Sequence, residues 1–390
     1  MKTKELPLDI PKALTEIEAE GFNHWLLKNF DQAFLDARKG KRKTRDEHHF
    51  ELNRFENLKN LRDAVVEKSY HPGSSITFVV FDPMVREIFA APFRDRVIHH
   101  FLYNMQAGWW DSRFIYDSYS CRPGKGTLFG IKRVQEMMRQ ASKNGQQKAY
   151  IIKLDISGYF MSLPRKKLYE SVKWGLDQQF KEYKNDPNGY RLYKTCTYLW
   201  KKVLFDDPVQ KARKRGRLSD WNPEILPAKK SLFAQPPGKG IVIGNQTSQL
   251  VSNIYLDKLD RFIKFELGFK YYGRYVDDFI IIVPEKEYLT TKQSVPLIEN
   301  FLKTELDLEL HPKKRYFVPV SHGVEFLGAR IYPHCIYPSN RLQKKINRAA
   351  DGFNRDEKEI DTIISYLGLI KHYNADKFLD KLFDDYGWRR

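Results

Sequence analysis

The sequence predicts an α+β protein: a mixed core of strands and helices and, at the end, a separate, wholly helical cap. Three observations lead there. Helical and strand periodicities alternate over the first 330 residues, two short apolar strand patterns end in carboxylates at Asp155 and Asp277, and residues 341–387 carry helical spacing alone. At 390 residues the chain exceeds the usual single-domain length, so two or three packed subdomains are expected.

The elements follow in order. Leu14, Ile17, Phe22, Trp25, Leu26, Phe30 and Phe34 stand near helical spacing and predict a helix over 12–38. A basic stretch, 38–45, reads as a solvated linker or a phosphate contact, and a second helix is expected over 47–68. The β-branched run from Ile76 to Val80 suggests a hairpin between Tyr70 and Pro92. Helices are expected over 94–109 and 127–142, a strand over 149–155, and a long charged helical region over 164–206. Residues 207–240, rich in Pro, Lys and Gly, read as an irregular basic insertion at the surface. Helix returns over 245–266, two strands around a tight turn over 270–283, helix over 286–306, and strands over 316–332.

Composition narrows the function. Lys and Arg number 67 against 49 Asp and Glu, a net charge of +18, with a pI near 9.5. Such an excess answers a polyanion, either nucleic acid or an anionic membrane surface, although a merely basic soluble protein would share it. No apolar run reaches the ~18 residues that a spanning helix requires. The first residues lack the apolar core of a signal peptide. Cys121, Cys196 and Cys335 are far apart, without zinc-ligand spacing, as expected of reduced thiols in the cytoplasm.

The carboxylates are more informative. Gly273 to Val283 reads Gly-Arg-Tyr-Val-Asp-Asp-Phe-Ile-Ile-Ile-Val, two adjacent acids set between apolar strands. Acids are poor strand formers and costly beside a core unless they are paired or bind a cation. In Lys153-Leu154-Asp155-Ile156 another acid ends an apolar strand, 122 residues before Asp277 (277 − 155). Phosphoryl transfer by two metal ions needs carboxylates that bridge ions ~4 Å apart. Magnesium takes few carboxylates and leaves positions open for substrate phosphates.

With Tyr275-Val276-Asp277-Asp278 behind a strand ending in Asp155, the chain resembles the reverse transcriptases, whose hallmark is Tyr-X-Asp-Asp. Other blocks fall in the same order as in that family. Val85-Arg86-Glu87-Ile88 through Asp95-Arg96-Val97 is similar to its first motif, and Ser118 to Thr127 (Ser-Tyr-Ser-Cys-Arg-Pro-Gly-Lys-Gly-Thr) to its second. His311-Pro312-Lys313-Lys314 and Val324-Glu325-Phe326-Leu327-Gly328 resemble the two motifs after the catalytic hairpin.

The resemblance implies a right-hand polymerase. An N-terminal helical extension would cover 1–70, fingers 71–148, a palm of antiparallel sheet and helices 149–332, and a short helical thumb 333–390. It implies that Asp155, Asp277 and Asp278, with the Ile156 carbonyl nearby, hold two Mg²⁺ ions, with Mn²⁺ as the alternative. Phe160 would press against the sugar 2′ position, unless it is simply core. Arg86 and Arg96 would reach the incoming triphosphate or template, unless they form ordinary surface ion pairs. Lys314 would sit by the triphosphate, with Lys313 as its competitor. Ile243 and Gly244 would line the nucleotide site, and Arg122, Gln249 and Tyr275 the template–primer. The implied partners are template RNA, the RNA–DNA hybrid and deoxynucleoside triphosphates.

One departure narrows the resemblance. Where most of the family reads Gln-Gly-x-x-x-Ser-Pro, this chain has Ile243-Gly244-Asn245-Gln246-Thr247-Ser248-Gln249. That is similar to the reverse transcriptases of bacterial and phage diversity-generating retroelements. Those enzymes make errors opposite template adenine, and the cDNA replaces part of a target gene (mutagenic retrohoming). They work with a basic oligomeric accessory variability determinant, which is thereby an implied partner. Retron, group II intron and phage-defence enzymes are the alternatives, and a nucleic-acid-binding protein with a degenerate palm is the non-enzymatic one. After Gly328, 62 residues remain (390 − 328) in the sequence, room for a short thumb but not for an added RNase H domain. Lys and Arg cluster at 38–45, 211–217 and 341–348, and Trp200, Trp221 and Tyr316 are interleaved with such charges, although aromatics so placed are more often packing than base-stacking platforms.

Overall fold

A computed structural model describes residues 8–40, 44–81, 84–353 and 360–388. Residues 41–43 of the first basic cluster lie outside the described residues, as do the first seven residues of the expected N-terminal extension.

The expected first helix is two, α1 (Ile10–Glu20) and α2 (Phe22–Ala37), because Gly21 at φ +82° leaves the helical region between them. Asp9 caps α1 by accepting from the Lys12 amide at 3.0 Å. Asn53 likewise divides the second expected helix into α3 (Arg45–Leu52) and α4 (Arg54–Val66). β1 (Ile76–Val80) and β2 (Arg86–Ala90) form the expected hairpin, and α5 (Phe93–Asp111) and α6 (Thr127–Ala141) follow. Then come β3 (Ala149–Ile156), the single turn α7 (Tyr159–Ser162), α8 (Arg165–Gln179), α9 (Pro187–Phe205) and β4 (Arg213–Lys214). α10 (Gln246–Arg261) ends in a π turn, Phe262–Glu266. β5 (Tyr271–Tyr275) and β6 (Asp278–Pro284) precede α11 (Glu285–Leu306). β7 (Leu310–Pro319), β8 (Val324–Phe326), β9 (Ala329–Ile331) and β10 (Ile336–Pro338) lead to α12 (Asn340–Phe353), α13 (Ile360–Ile370) and α14 (Asp376–Tyr386).

The chain divides into two compact units, each assembled from three stretches. The first comprises Met1–Ile115, Ile156–Leu259 and Phe301–Glu309. Its core packs α2 on α5 and α8 on α9, with Trp25, Leu26, Phe30, Phe34, Phe101 and Trp200 almost wholly buried. Phe30 meets Phe101 edge to face at 5.0 Å. Residues 207–240 lie largely at the surface, as the composition suggests, but they are anchored to the first unit rather than loose. β4 lies parallel to β1 as a third strand, in the order β2-β1-β4, and Leu226, Ser231 and Leu232 are buried. What recruits the segment is a buried carboxylate, Glu87 on β2, which accepts hydrogen bonds from Trp221 Nε1 (2.7 Å), Ser231 Oγ (3.2 Å) and the Leu232 amide (2.6 Å).

The second unit comprises Tyr116–Asp155, Asp260–Asn300 and Leu310–Arg390. Its main sheet runs β5-β6-β3-β7, and a smaller one runs β10-β9-β8. β6 is central, and Phe279 to Val283 are buried on both faces, which accounts for the unbroken apolar run. A single buried cluster joins Ile131 and Met138 of α6, Ile151 of β3, Ile280 and Ile282 of β6, and Ile346, Ile370 and Leu382 of the C-terminal helices. The expected helical end therefore shares its core with these strands and is not a separate cap. Among the described residues, no helix is long and apolar enough to cross a membrane.

Candidate active site

The second unit brings the predicted acids together. β3 and β6 are antiparallel with Asp155 opposite Asp278, and β5 and β6 pair with Tyr275 opposite Asp278. Only Val276 and Asp277 remain for the turn. A two-residue hairpin turn of this kind calls for positive φ, and Val276 adopts +56° although it is β-branched. Such a residue persists only where its surroundings hold it. Ser120 Oγ accepts the Val276 amide at 3.2 Å, and Arg274 Nη1 donates to the Val276 carbonyl at 2.8 Å.

Arg274 is itself completely buried, and its fork meets Asp260 through Nε–Oδ1 and Nη2–Oδ2, both at 2.7 Å. Tyr272 donates to the same Asp260 Oδ1 at 2.7 Å. Residues 117–119 run along β5, with the Arg274 amide donating to the Asp117 carbonyl and the Tyr119 amide to the Arg274 carbonyl, both at 2.9 Å. Gly273 admits this neighbour, since a Cβ there would stand 2.1 Å from the Tyr119 hydroxyl.

Two lysines meet the acids. Lys314 on β7 donates to both oxygens of Asp155, at 3.0 and 2.9 Å. Lys153 lies two residues before Asp155, hence on the same face of β3. It pairs with Asp278 Oδ2 at 3.0 Å and donates to the Glu325 carbonyl at 2.9 Å. Negative charge still predominates. Burial, then repulsion from Asp155, raises Asp277 to about 7. Burial also raises Asp278, to about 6, against the opposing pull of Lys153. Asp278 Oδ1 is buried and has no hydrogen-bond partner among the described residues. An orphaned carboxylate oxygen amid unneutralised charge suits a cation. As the side chains stand, no three His, Cys, Asp or Glu among the described residues converge tightly enough to hold one.

The remaining predicted residues fall as follows. In the second unit, Arg122 donates to the Ser118 carbonyl at 3.0 Å, and Tyr275 packs partly against the main core. In the first unit, Phe160 and Ile243 meet around the same buried cluster of Phe89, Met161 and Leu232. Ile156 is buried. The Ile243 carbonyl accepts the Phe89 amide at 3.1 Å. Gly244 has φ +126°, and a Cβ there would press on the Phe89 carbonyl at 3.0 Å, so glycine is required. Arg86 and Gln249 are exposed. Arg96 is half-buried and donates to the Ala91 carbonyl at 2.9 Å. The sequence reading missed Lys153, Asp260 and Arg274. Only Lys153 had a signal, its even spacing from Asp155.

A family model described as "Reverse transcriptase (RNA-dependent DNA polymerase)" matches residues 85–331. The chain belongs to the reverse transcriptase family, the RNA-directed DNA polymerases. Comparison with curated proteins gives no match. Among solved structures the chain is similar to the telomerase of Candida albicans in complex with a TWJ fragment of telomeric RNA. That similarity is at 10% identity and a TM-score of 0.44, over 80% of this chain and 55% of that one. The chain thus spans about half the length of that structure.

Proposed function

We propose that this protein copies a template RNA into cDNA by two-metal nucleotidyl transfer, with Asp155, Asp277 and Asp278 as the metal ligands. The observation that carries this reading is the register that sets three carboxylates at two neighbouring strand ends and the braced turn between strands, two of them with raised pKa values. Two Mg²⁺ ions, when bound there, would activate the primer 3′-hydroxyl and stabilise the charge on the departing pyrophosphate. Lys314, whose side chain is about half exposed, would exchange Asp155 for the triphosphate. Lys153 is tied to the Glu325 carbonyl and would stay to orient Asp278. Phe160 and Ile243 belong to one cluster, which favours a joint role beside the nucleotide. In this reading residues 71–148 serve as fingers, 149–332 as palm and 333–390 as thumb, behind an N-terminal extension. Arg86, Arg96, Arg122, Gly244, Gln249 and Tyr275 contact nucleotide or template–primer.

Within the family, Ile243 to Gln249 favours a diversity-generating retroelement enzyme that errs at template adenines and works with a basic accessory oligomer. A Gln at the first position could hydrogen-bond near the nascent pair. An aliphatic side chain offers contact alone, and a lost polar check is worth on the order of 1 kcal/mol.

The test is primer extension on an RNA template with Mg²⁺. Wild type should extend, while Asp277→Asn and Asp155→Asn should not, with RNA affinity retained. Extension by either purified variant would sink the metal assignment. Sequencing the wild-type cDNA from a mixed template should reveal errors concentrated at adenines, and an even error spectrum would remove the subtype.

A further inference from the structure

Residues 211–217 carry five cations in seven positions, Lys211, Arg213, Lys214, Arg215 and Arg217. On a loose loop they would mark only a solvated surface. Here the backbone is fixed. The Arg213 amide donates to the Ser75 carbonyl and the Arg215 amide to the Thr77 carbonyl, both at 2.8 Å, so that β4 is registered against β1. The return of the chain is pinned at Trp221, Ser231 and Leu232 by Glu87.

The side chains are arranged as well. Lys214 Nζ lies over the rings of Phe233 (4.5 Å) and Trp221 (4.9 Å), and the Arg215 guanidinium over Phe78 (4.8 Å). Lys211 is neutralised by Asp206 at 2.6 Å. Arg213, Lys214, Arg215 and Arg217 are exposed, and none has a carboxylate at ion-pair distance among the described residues. Two large apolar side chains of the same unit, Leu218 (78% exposed) and Phe81 (53%), directly follow the basic run and β1.

Charged residues on an edge strand also guard against edge-to-edge pairing. That purpose needs one or two charges, and it does not call for exposed apolar side chains beside them. A duplex hides its base faces, whereas single-stranded RNA offers both a phosphate track and unstacked bases. Arg213 and Arg215 stand roughly 6.6 Å apart if the backbone stays extended past β4, on the order of one backbone repeat of an extended single strand.

We propose that residues 213–218, with Phe81, form a binding site for single-stranded RNA along this sheet edge, in which Arg213 and Arg215 from one face, Lys214 from the other and Arg217 beyond them take phosphates, and Phe81 and Leu218 meet the bases. The proposal deepens the polymerase reading and rests on it, since the natural occupant is then the uncopied template.

The experiment measures binding of a fluorescent 20-nucleotide uridine RNA to the full chain across a salt series. The Arg213→Ala/Lys214→Ala/Arg215→Ala/Arg217→Ala variant should bind at least tenfold more weakly at physiological salt. Its log–log salt slope should be shallower by about 3, at ~0.7 per lost phosphate contact. Arg213→Ala/Arg217→Ala spares the two cations that lie on rings, so it should fold normally and still lose about half of that slope. Unchanged affinity and slope in this double variant would overturn the proposal. So would an equal loss for a double-stranded DNA of the same length, which would assign the edge to duplex. Wild-type primer extension on a pre-annealed hybrid is read in parallel. Its absence would remove the polymerase reading and leave the RNA-binding result to stand alone.

Discussion

Asp277 sits where a carboxylate is least comfortable, buried and facing two others. Both Asp277 and Asp278 have folded pKa values, about 7 and about 6, above the usual carboxylate value. The folded protein therefore binds these protons more tightly than the unfolded chain does. Their contribution to stability is present below about pH 4 and is lost as pH rises through 6 to 7. Asp277→Asn should accordingly raise the Tm of the metal-free protein at pH 8, and the gain should shrink at pH 5. An equal gain at both values would mean that charge repulsion is not its origin. Phe160 makes a second expectation at this scale. Replacing it with Ala should increase ribonucleotide incorporation relative to deoxynucleotide, and unchanged discrimination in single-nucleotide assays would return Phe160 to the core it partly joins. The acids were legible because charge inside an apolar run is anomalous in any sequence. Their lysine partners were harder to see, because Lys314 reaches Asp155 across 159 positions of sequence.

At the scale of elements, the hairpin depends on what lies beneath it. Arg274 holds both the turn and Asp260, and removing one partner of a buried ion pair typically costs 3–5 kcal/mol. Arg274→Met should lower stability by about that much in urea unfolding, and a loss below about 1 kcal/mol would indicate that the turn holds itself. Periodicity gave away most strands and helices, but not β4, β10 or the first half of β7. It did not reveal that Gly21 and Asn53 end helices, because one residue hardly alters a repeat that continues beyond it. The anchoring of residues 207–240 was hidden for another reason. Their place is set by hydrogen bonds to Glu87, more than a hundred positions away, and a local composition carries no trace of such a partner.

At the scale of the molecule, the net charge of +18 suits a polyanion held by its phosphates, and salt tests that. Affinity for an RNA–DNA hybrid should fall steeply and linearly on a log–log plot, and a flat response between low and physiological salt would assign the basic excess another purpose. That the chain holds two units was legible as an expectation from length, yet their composition was not, since each is gathered from three stretches. Phe301–Glu309 joins the first unit after 41 residues, 260–300, that belong to the second. Leu302, Leu306 and Leu308 are buried there, and Tyr255 donates to the Leu306 carbonyl at 2.7 Å.

This interleaving bears on how the protein is made. Domains of a nascent chain ordinarily fold in turn, the N-terminal one first, as each leaves the ribosome. Here a ribosome that has reached residue 300 has released neither unit whole: the first still lacks its nine closing residues, and the second awaits everything from Leu310 onward. Translation must run into the last quarter of the chain before either unit is complete. Leu302, Leu306 and Leu308 are thus the last apolar side chains to reach the first unit, after a long stretch of chain that belongs to the other.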